Sequence, residues 1–269
     1  MEECTLRLVY HPYMQKYGGK VIHQSRDAFG VLEIIEDRFE RSLHFGNNAK
    51  QSSTDIHIPA RLVLSYTRAM AASLLFTPPP QRALLVGLGG GSLAKFLLHH
   101  FPECRVDVVE VRKKVHRLAR TYFELPDDPN LTVFIEDGAM FMGSASPDFG
   151  DYDLMLIDAF LDDGIAGDVC GVPFLEDCRM RLSARGTLAM NLWSDDVIRA
   201  SDLLEMMNDS FGQVLRLPVE GKDNIIGFGG PAVPPPRELN SLSPRARELA
   251  DALDVEFPAF LKRLRKHNR

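Results

Sequence analysis

The sequence predicts an α/β fold: a doubly wound, mostly parallel seven-stranded sheet carrying a small β-rich N-terminal domain. Three observations carry that expectation. Five short apolar runs alternate with helical stretches between residues 83 and 193. Glycines crowd the exit of the first of these runs. Two more β-like runs, separated by Glu220-Gly221-Lys222-Asp223, close the pattern as an antiparallel hairpin.

Taken in order, the chain up to about Asn48 is rich in short alternating segments. In GVLEIIEDRFERSLHFG two β-like runs flank Glu36-Asp37-Arg38, which predicts a hairpin. After Gln51, the stretch IPARLVLSYTRAMAASLLF reads as a helix with Pro59 in its first turn. Thr77-Pro78-Pro79-Pro80 then breaks the chain. The parallel strands are expected at ALLVG (83–87), RVDVVEV (105–111), LTVFIED (131–137), YDLMLID (152–158) and GTLAMNLW (186–193). GQVLRLPV and NIIGFGG supply the closing hairpin. A proline cluster at Pro234 to Pro236 precedes a helix around PRARELADALDV, and the basic end KRLRKHNR reads as a solvated tail. The expected organisation is an N-terminal β-rich domain (1–58), a helix and Pro-rich linker (59–80), a Rossmann-like nucleoside-binding domain (81–230) and a C-terminal helical extension (231–269). There are no internal repeats.

Bulk properties narrow the function. A net charge of -6 argues against general nucleic-acid binding, which requires a basic face for phosphates. No apolar run reaches membrane-spanning length, and MEECTLRLVY is not a signal peptide. Cys4, Cys104, Cys170 and Cys178 show no C-x-x-C spacing, so neither a zinc site nor a disulfide framework is expected. The expectation is a cytoplasmic protein without a metal.

The residues that carry chemistry cluster at strand ends. Gly87, Gly89, Gly90 and Gly91 allow a sharp turn and close approach of backbone to a ligand, with a helix N-terminus following. Glu110 ends the second strand, 23 positions after Gly87, where a carboxylate accepts hydrogen bonds from ribose hydroxyls. Asp137-Gly138 closes the third strand, where an acid can accept from an adenine amino group and small neighbours leave room for the ring. Three successive strand ends thus offer adenosine-compatible groups on one sheet edge, where open α/β folds bind ligands. Asp158 ends the fourth strand, where the reacting groups are expected. The loop after it, AFLDDGIAGDVCGV, carries Asp162, Asp163 and Asp168, and reads as an acidic lid for a cationic substrate. Asp158 can take a proton from an ammonium group and free its nitrogen for attack. Asn191 and Trp193 follow the fifth strand as candidate pocket residues, whereas His99 and His100 read as surface.

Five parallel strands plus a terminal hairpin is the strand count of the class I S-adenosylmethionine-dependent methyltransferase fold. In LLVGLGGGS, VDVVEV, IEDGAMF, YDLMLIDAF and GVPFLEDCRMRLSARGTLAMNLW, over roughly residues 24–230, the sequence resembles the spermidine/spermine synthases, the polyamine aminopropyltransferases. That resemblance implies nucleoside contacts from Gln51, ribose binding by Glu110, adenine binding by Asp137 and Gly138, and a general base at Asp158. It implies decarboxylated S-adenosylmethionine as donor, a small amine such as putrescine as acceptor, release of methylthioadenosine, and a homodimer.

The chain departs from the family pattern at three places. Gly90 stands where the synthases carry an aspartate able to pair with the donor's ammonium; a backbone N–H there suits intact S-adenosylmethionine instead. Leu161 replaces a second aspartate, with Asp162 and Asp163 as nearby substitutes. At the polyamine-binding element the chain reads Tyr66-Thr67-Arg68, and Arg68 would repel a polyammonium if it faced the site. Three readings therefore stay open: aminopropyl transfer, methyl transfer from S-adenosylmethionine, and nucleoside binding without catalysis.

Overall fold

A computed structural model describes residues 15–144, 151–158, 160–161, 164–165, 171–193 and 197–268. The chain begins with β1 (Gln15–Lys16), β2 (Gly19–Asp27), β3 (Gly30–Glu36), β4 (Glu40–His44) and β5 (Ser52–Asp55). These pair in sequence order as an antiparallel sheet. The hairpin expected around Glu36-Asp37-Arg38 is present, with Ile34 opposite Leu43. Its turn is held by Asp37 Oδ1, which accepts from the backbone N–H groups of Phe39 and Glu40.

The long helix expected from Ile58 starts late. Asp55 Oδ1 accepts from the N–H groups of His57 and Ile58, and Thr54 forms a bridge with Leu62. The segment therefore closes as a loop against β5, Pro59 lies in it, and α1 spans only Ser65–Met70. A 3₁₀ turn continues it over Ala71–Leu75. The side-chain turn at Asp55 outcompetes helix nucleation, a use to which Asp is well suited.

The second sheet is built from β6 (Arg82–Val86), β7 (Arg105–Val109), β8 (Leu131–Phe134), β9 (Tyr152–Ile157), β12 (Leu182–Trp193), β13 (Val214–Pro218) and β14 (Asn224–Gly229). A short pair, β10 (Phe160–Leu161) and β11 (Gly164–Ile165), stands apart. Spatial order is β13-β14-β12-β9-β6-β7-β8, with β14 antiparallel to both neighbours and the rest parallel. Helices α2 (Ser92–His100), α3 (Lys113–Tyr122), α4 (Gly138–Gly143), α5 (Val172–Arg181) and α6 (Val197–Phe211) connect the strands.

Burial on both faces explains the continuous apolar strands. Ala83, Leu85, Val106, Val108, Leu154 and Leu156 pack into one core with Phe96 and Leu97 of α2. Their neighbours in the chain, Leu84, Val86, Met155 and Ile157, point to the other face and meet Phe174, Leu175, Leu203 and Met207. A third cluster joins Leu32, Ile34, Leu43 and Phe45 of the N-terminal sheet to Val115, Leu118 and Phe123.

The C-terminal segment adds α7 (Ser243–Leu253) and α8 (Phe257–His267) to the first core. The basic end is thus not a solvated tail. Phe257, Phe260, Leu261 and Leu264 are buried along one side of α8, while Arg263 pairs with Glu220 and Arg265 donates to the Leu239 carbonyl. No helix among the described residues is long and apolar enough to cross a membrane.

Candidate active site

The ends of the parallel strands continue their ladders for one residue beyond each strand. Gly87 N–H donates to the Val109 carbonyl, Glu110 N–H to that of Phe134, and Asp158 N–H to that of Val86. These bonds hold the glycine turn and two carboxylates along one edge of the sheet. They border a cavity of about 550 Å³. Gln51, Tyr66, Gly87, Gly89, Glu110, Asp137, Gly138 and Asp158 all line it.

Glu110 is almost fully buried. Its Oε2 accepts from Leu88 N–H at 3.1 Å and its Oε1 from Arg112 N–H at 2.7 Å, so the carboxylate ties the glycine turn to the segment after β7. Burial pushes its pKa up, against the pull of these bonds and the Arg112 guanidinium. Arg112 is itself buried, its guanidinium paired with Asp27 at 2.8 Å and 4.3 Å from the centre of the Phe45 ring. The N-terminal sheet thereby braces the ribose-binding candidate.

Asp137 caps α4, its Oδ1 accepting from Ala139 N–H at 2.9 Å and Met140 N–H at 3.0 Å. The sequence expectation for Asp137 is an adenine contact; the structure shows a helix cap, whose two bonds fix the carboxylate where it lines the cavity.

Asp158 forms the floor. Asn191 Nδ2 donates to its Oδ1 at 2.9 Å. The Tyr66 hydroxyl stands within reach of both Asp158 and the Gln51 carbonyl, 3.1 Å away. Burial raises the Asp158 pKa, while the bonds from Asn191 and Tyr66 oppose the shift. Burial also drives the Tyr66 phenol well above its ordinary value, with the neighbouring carboxylate adding to it. A phenol has one proton to give. With Asp158 ionised that proton turns to the carboxylate; with Asp158 protonated, the acid donates to the phenol oxygen and the phenol donates to Gln51. The trio can accept a proton without stranding a buried polar atom.

Gly90 and Gly91 are not among the residues that line the cavity. Gly91 adopts φ +75° at the start of α2. At Gly90 an added Cβ would fall 2.7 Å from the Phe123 ring and 3.0 Å from Ser52 Oγ. The side of Gly90 is filled by protein, which supplies a physical reason for the missing aspartate.

Arg68 does not face the site. Its guanidinium pairs with Glu256 and donates to the carbonyls of Leu62 and Asp254, which anchors α1 to the C-terminal segment. Leu161 lies in β10, and Asp162, Asp163 and Asp168 lie outside the described residues. Sequence reasoning overlooked Lys50, Glu136, Lys222, Asp223 and Asn224 as lining residues. The last three sit at the turn entering β14, where only the sheet order reveals that the closing hairpin returns to the strand ends.

No protein-family model matches the chain. Over 264 residues it is 33% identical to the polyamine aminopropyltransferase of Chromobacterium violaceum, with 96% of this chain and 97% of that protein covered. A probable spermidine synthase from Corynebacterium glutamicum superposes with a TM-score of 0.71 at 22% identity, over 85% of this chain and 86% of that one. Human methyltransferase-like protein 13, solved with SAH, superposes with a TM-score of 0.62 at 24% identity, over 74% and 93% of the two chains. The two structural likenesses speak to the fold alone.

Proposed function

The chain belongs to the polyamine aminopropyltransferase family, and we propose that it transfers an aminopropyl group from decarboxylated S-adenosylmethionine to a small amine. The amine nitrogen attacks the methylene carbon next to the sulfonium. The new C–N bond forms as the C–S bond breaks, its electrons neutralise the sulfur, and methylthioadenosine leaves. The protein's task is to align the two reactants and remove one proton from the attacking ammonium.

The observation that carries this reading is the half-buried carboxylate of Asp158 at the cavity floor, bonded to Asn191 and beside Tyr66. It is the group we assign as general base. Glu110 is assigned to the ribose, Asp137 and Gly138 to the adenine, and Gln51, Gly87 and Gly89 to the rest of the nucleoside. Tyr66 is assigned to the acceptor amine, where it borders the base. Asp162 and Asp163, in the acidic loop after β9, are assigned to the acceptor's second ammonium. Arg68 no longer counts against a polyammonium substrate, because Glu256 holds it elsewhere.

Methyl transfer is retained as a second reading for one reason: the filled side of Gly90 leaves no carboxylate there for a donor ammonium. Incubation with each donor and a panel of diamines, followed by mass analysis, separates the two. Products heavier by an aminopropyl group support our reading; products heavier by a methyl group overturn it. Asp158→Asn is expected to lower turnover roughly a thousandfold while methylthioadenosine affinity stays within about twofold. Full turnover in that variant would remove Asp158 from the role.

A further inference from the structure

The base at Asp158 is held by a chain of amides that begins on another strand. Asn224 Nδ2 donates to Asn191 Oδ1 at 3.0 Å, and Asn191 Nδ2 donates to Asp158 Oδ1 at 2.9 Å. Asn191 is buried on β12, and Asn224 opens β14. In the antiparallel register Asn191 faces Ile226, so Asn224 is its diagonal neighbour on the same face of the sheet. Asn224 also borders the cavity, next to Lys222 and Asp223 at the hairpin turn.

The direction of this chain follows from donor chemistry. An ionised carboxylate only accepts, so Asn191 must turn its NH₂ toward Asp158. Its carbonyl oxygen then faces Asn224, which must donate. Turned over, the Asn191 amide would set a carbonyl oxygen against a carboxylate, two acceptors with no proton between them. A lone asparagine can make that rotation; one whose oxygen already accepts a hydrogen bond is kept from it.

We propose that Asn224 is a positioning residue for the base: by donating to Asn191 Oδ1 it keeps the Asn191 amide aimed at Asp158. The inference rests on the assignment of Asp158 as general base, and it makes the closing hairpin part of the reaction centre. Other titratable groups border the same cavity: Lys50 before β5, Tyr66 from α1, Glu110 and Arg112 after β7, Glu136 and Asp137 before α4, and Lys222 and Asp223 at the turn. Of these, Tyr66 bonds to Asp158 and opposes the burial-driven rise of its pKa alongside Asn191. Because the bond from Asn191 favours the charged carboxyl, losing its aim raises the pH at which Asp158 titrates.

Carbon-13 carboxyl titration of the whole protein labelled at aspartate, with the Asp158 signal assigned by its loss in Asp158→Asn, reads this directly. Asn224→Leu frees the Asn191 amide and is expected to raise the Asp158 midpoint by roughly half a pH unit. Asn224→Asp keeps the shape but only accepts; it draws the Asn191 NH₂ away from Asp158 and adds a like charge nearby, and together these are expected to raise the midpoint by about one unit or more. Lys222→Gln alters charge at the same turn without touching the amide chain and is expected to shift the midpoint less than Asn224→Asp does. Retained binding of methylthioadenosine identifies folded variants, and the near-isosteric Asn224→Asp carries the test if Asn224→Leu does not fold. An unchanged midpoint in the folded Asn224 variants, or a Lys222→Gln shift as large as that of Asn224→Asp, overturns the proposal. The titration does not depend on turnover. Failure to alkylate any amine would therefore count against the proposed reaction, and an unmoved Asp158 against the amide chain.

Discussion

At the scale of single residues, Gly90 is the position where sequence and chemistry pull apart. Its sequence neighbours imply a nucleoside-binding turn, yet its own side is closed by the Phe123 ring at 2.7 Å and Ser52 Oγ at 3.0 Å. Gly90 lies outside the left-handed region, so the obstacle to a larger residue is space and not backbone strain. Gly90→Asp is therefore expected to destabilise the protein by about 2 kcal/mol, the usual cost of overpacking a filled site. It is not expected to tighten binding of decarboxylated S-adenosylmethionine, because the new carboxylate would be directed at Phe123. Urea unfolding and calorimetry check the two parts. The companion Phe123→Ala/Gly90→Asp double variant should cost less than the sum of the two changes, since each relieves the other. A fully stable Gly90→Asp with improved donor affinity would show that the ring yields easily.

At the scale of elements, Phe123 is held by its own backbone. Lys95, inside α2 and almost fully buried, donates from Nζ to the Phe123 carbonyl at 2.6 Å and to Thr54 Oγ1 of β5 at 2.9 Å. One ammonium thus ties α2, β5 and the end of α3 together behind the glycine turn. Burial lowers its pKa from 10.5 to about 8, with Glu124 opposing the shift and Arg41 adding to it. The folded chain releases this proton near pH 8, and the unfolded chain keeps it to about 10.5. Within that window the unfolded state binds more protons, so raising the pH favours folding. Lys95→Met removes the effect. Relative to that variant, the wild type should gain about 3 kcal/mol between pH 8 and pH 10.5, read from urea midpoints. Equal slopes for the two proteins would mean that Lys95 ionises as freely as in solvent.

This scale also separates what was legible in the sequence from what was not. Strand ends could be read because an apolar run that stops at Gly87, Glu110 or Asp158 marks its own C-terminal edge, and parallel strands bring those edges together; the third strand instead ends at Phe134, short of Asp137, which caps the next helix. The late start of α1 could not, because helical periodicity after Ile58 is genuine and loses to the turn capped by Asp55. Asn224 carried no signal either. An asparagine beside a hairpin turn is ordinary in a sequence, and its link to Asn191 exists only in the register between β12 and β14. The same holds for Arg112, whose pairing with Asp27 crosses between the two sheets.

At the scale of the whole molecule, the cavity is a meeting point rather than a property of one sheet. The N-terminal part contributes Phe45, Asn48, Lys50 and Gln51; the parallel strand ends supply the carboxylates; the last hairpin brings Lys222 to Asn224. Among the polar ties that join the N-terminal sheet to the parallel one are Arg112 with Asp27, at the cavity wall, and Lys95 with Thr54, and a shared apolar cluster packs between them. A ligand filling the cavity is bound only when all these parts are in place, so its free energy adds to the stability of the assembled chain and not to one portion of it. Methylthioadenosine at a hundred times its Kd should add about 2.7 kcal/mol. For a chain of this size that raises the melting temperature by roughly 5 °C. The expected calorimetric trace is one transition that moves as a whole as nucleoside is added. Two transitions, of which the nucleoside shifts only the later, would instead mean that the parallel sheet holds the ligand unaided and that the N-terminal sheet is a separate cooperative unit.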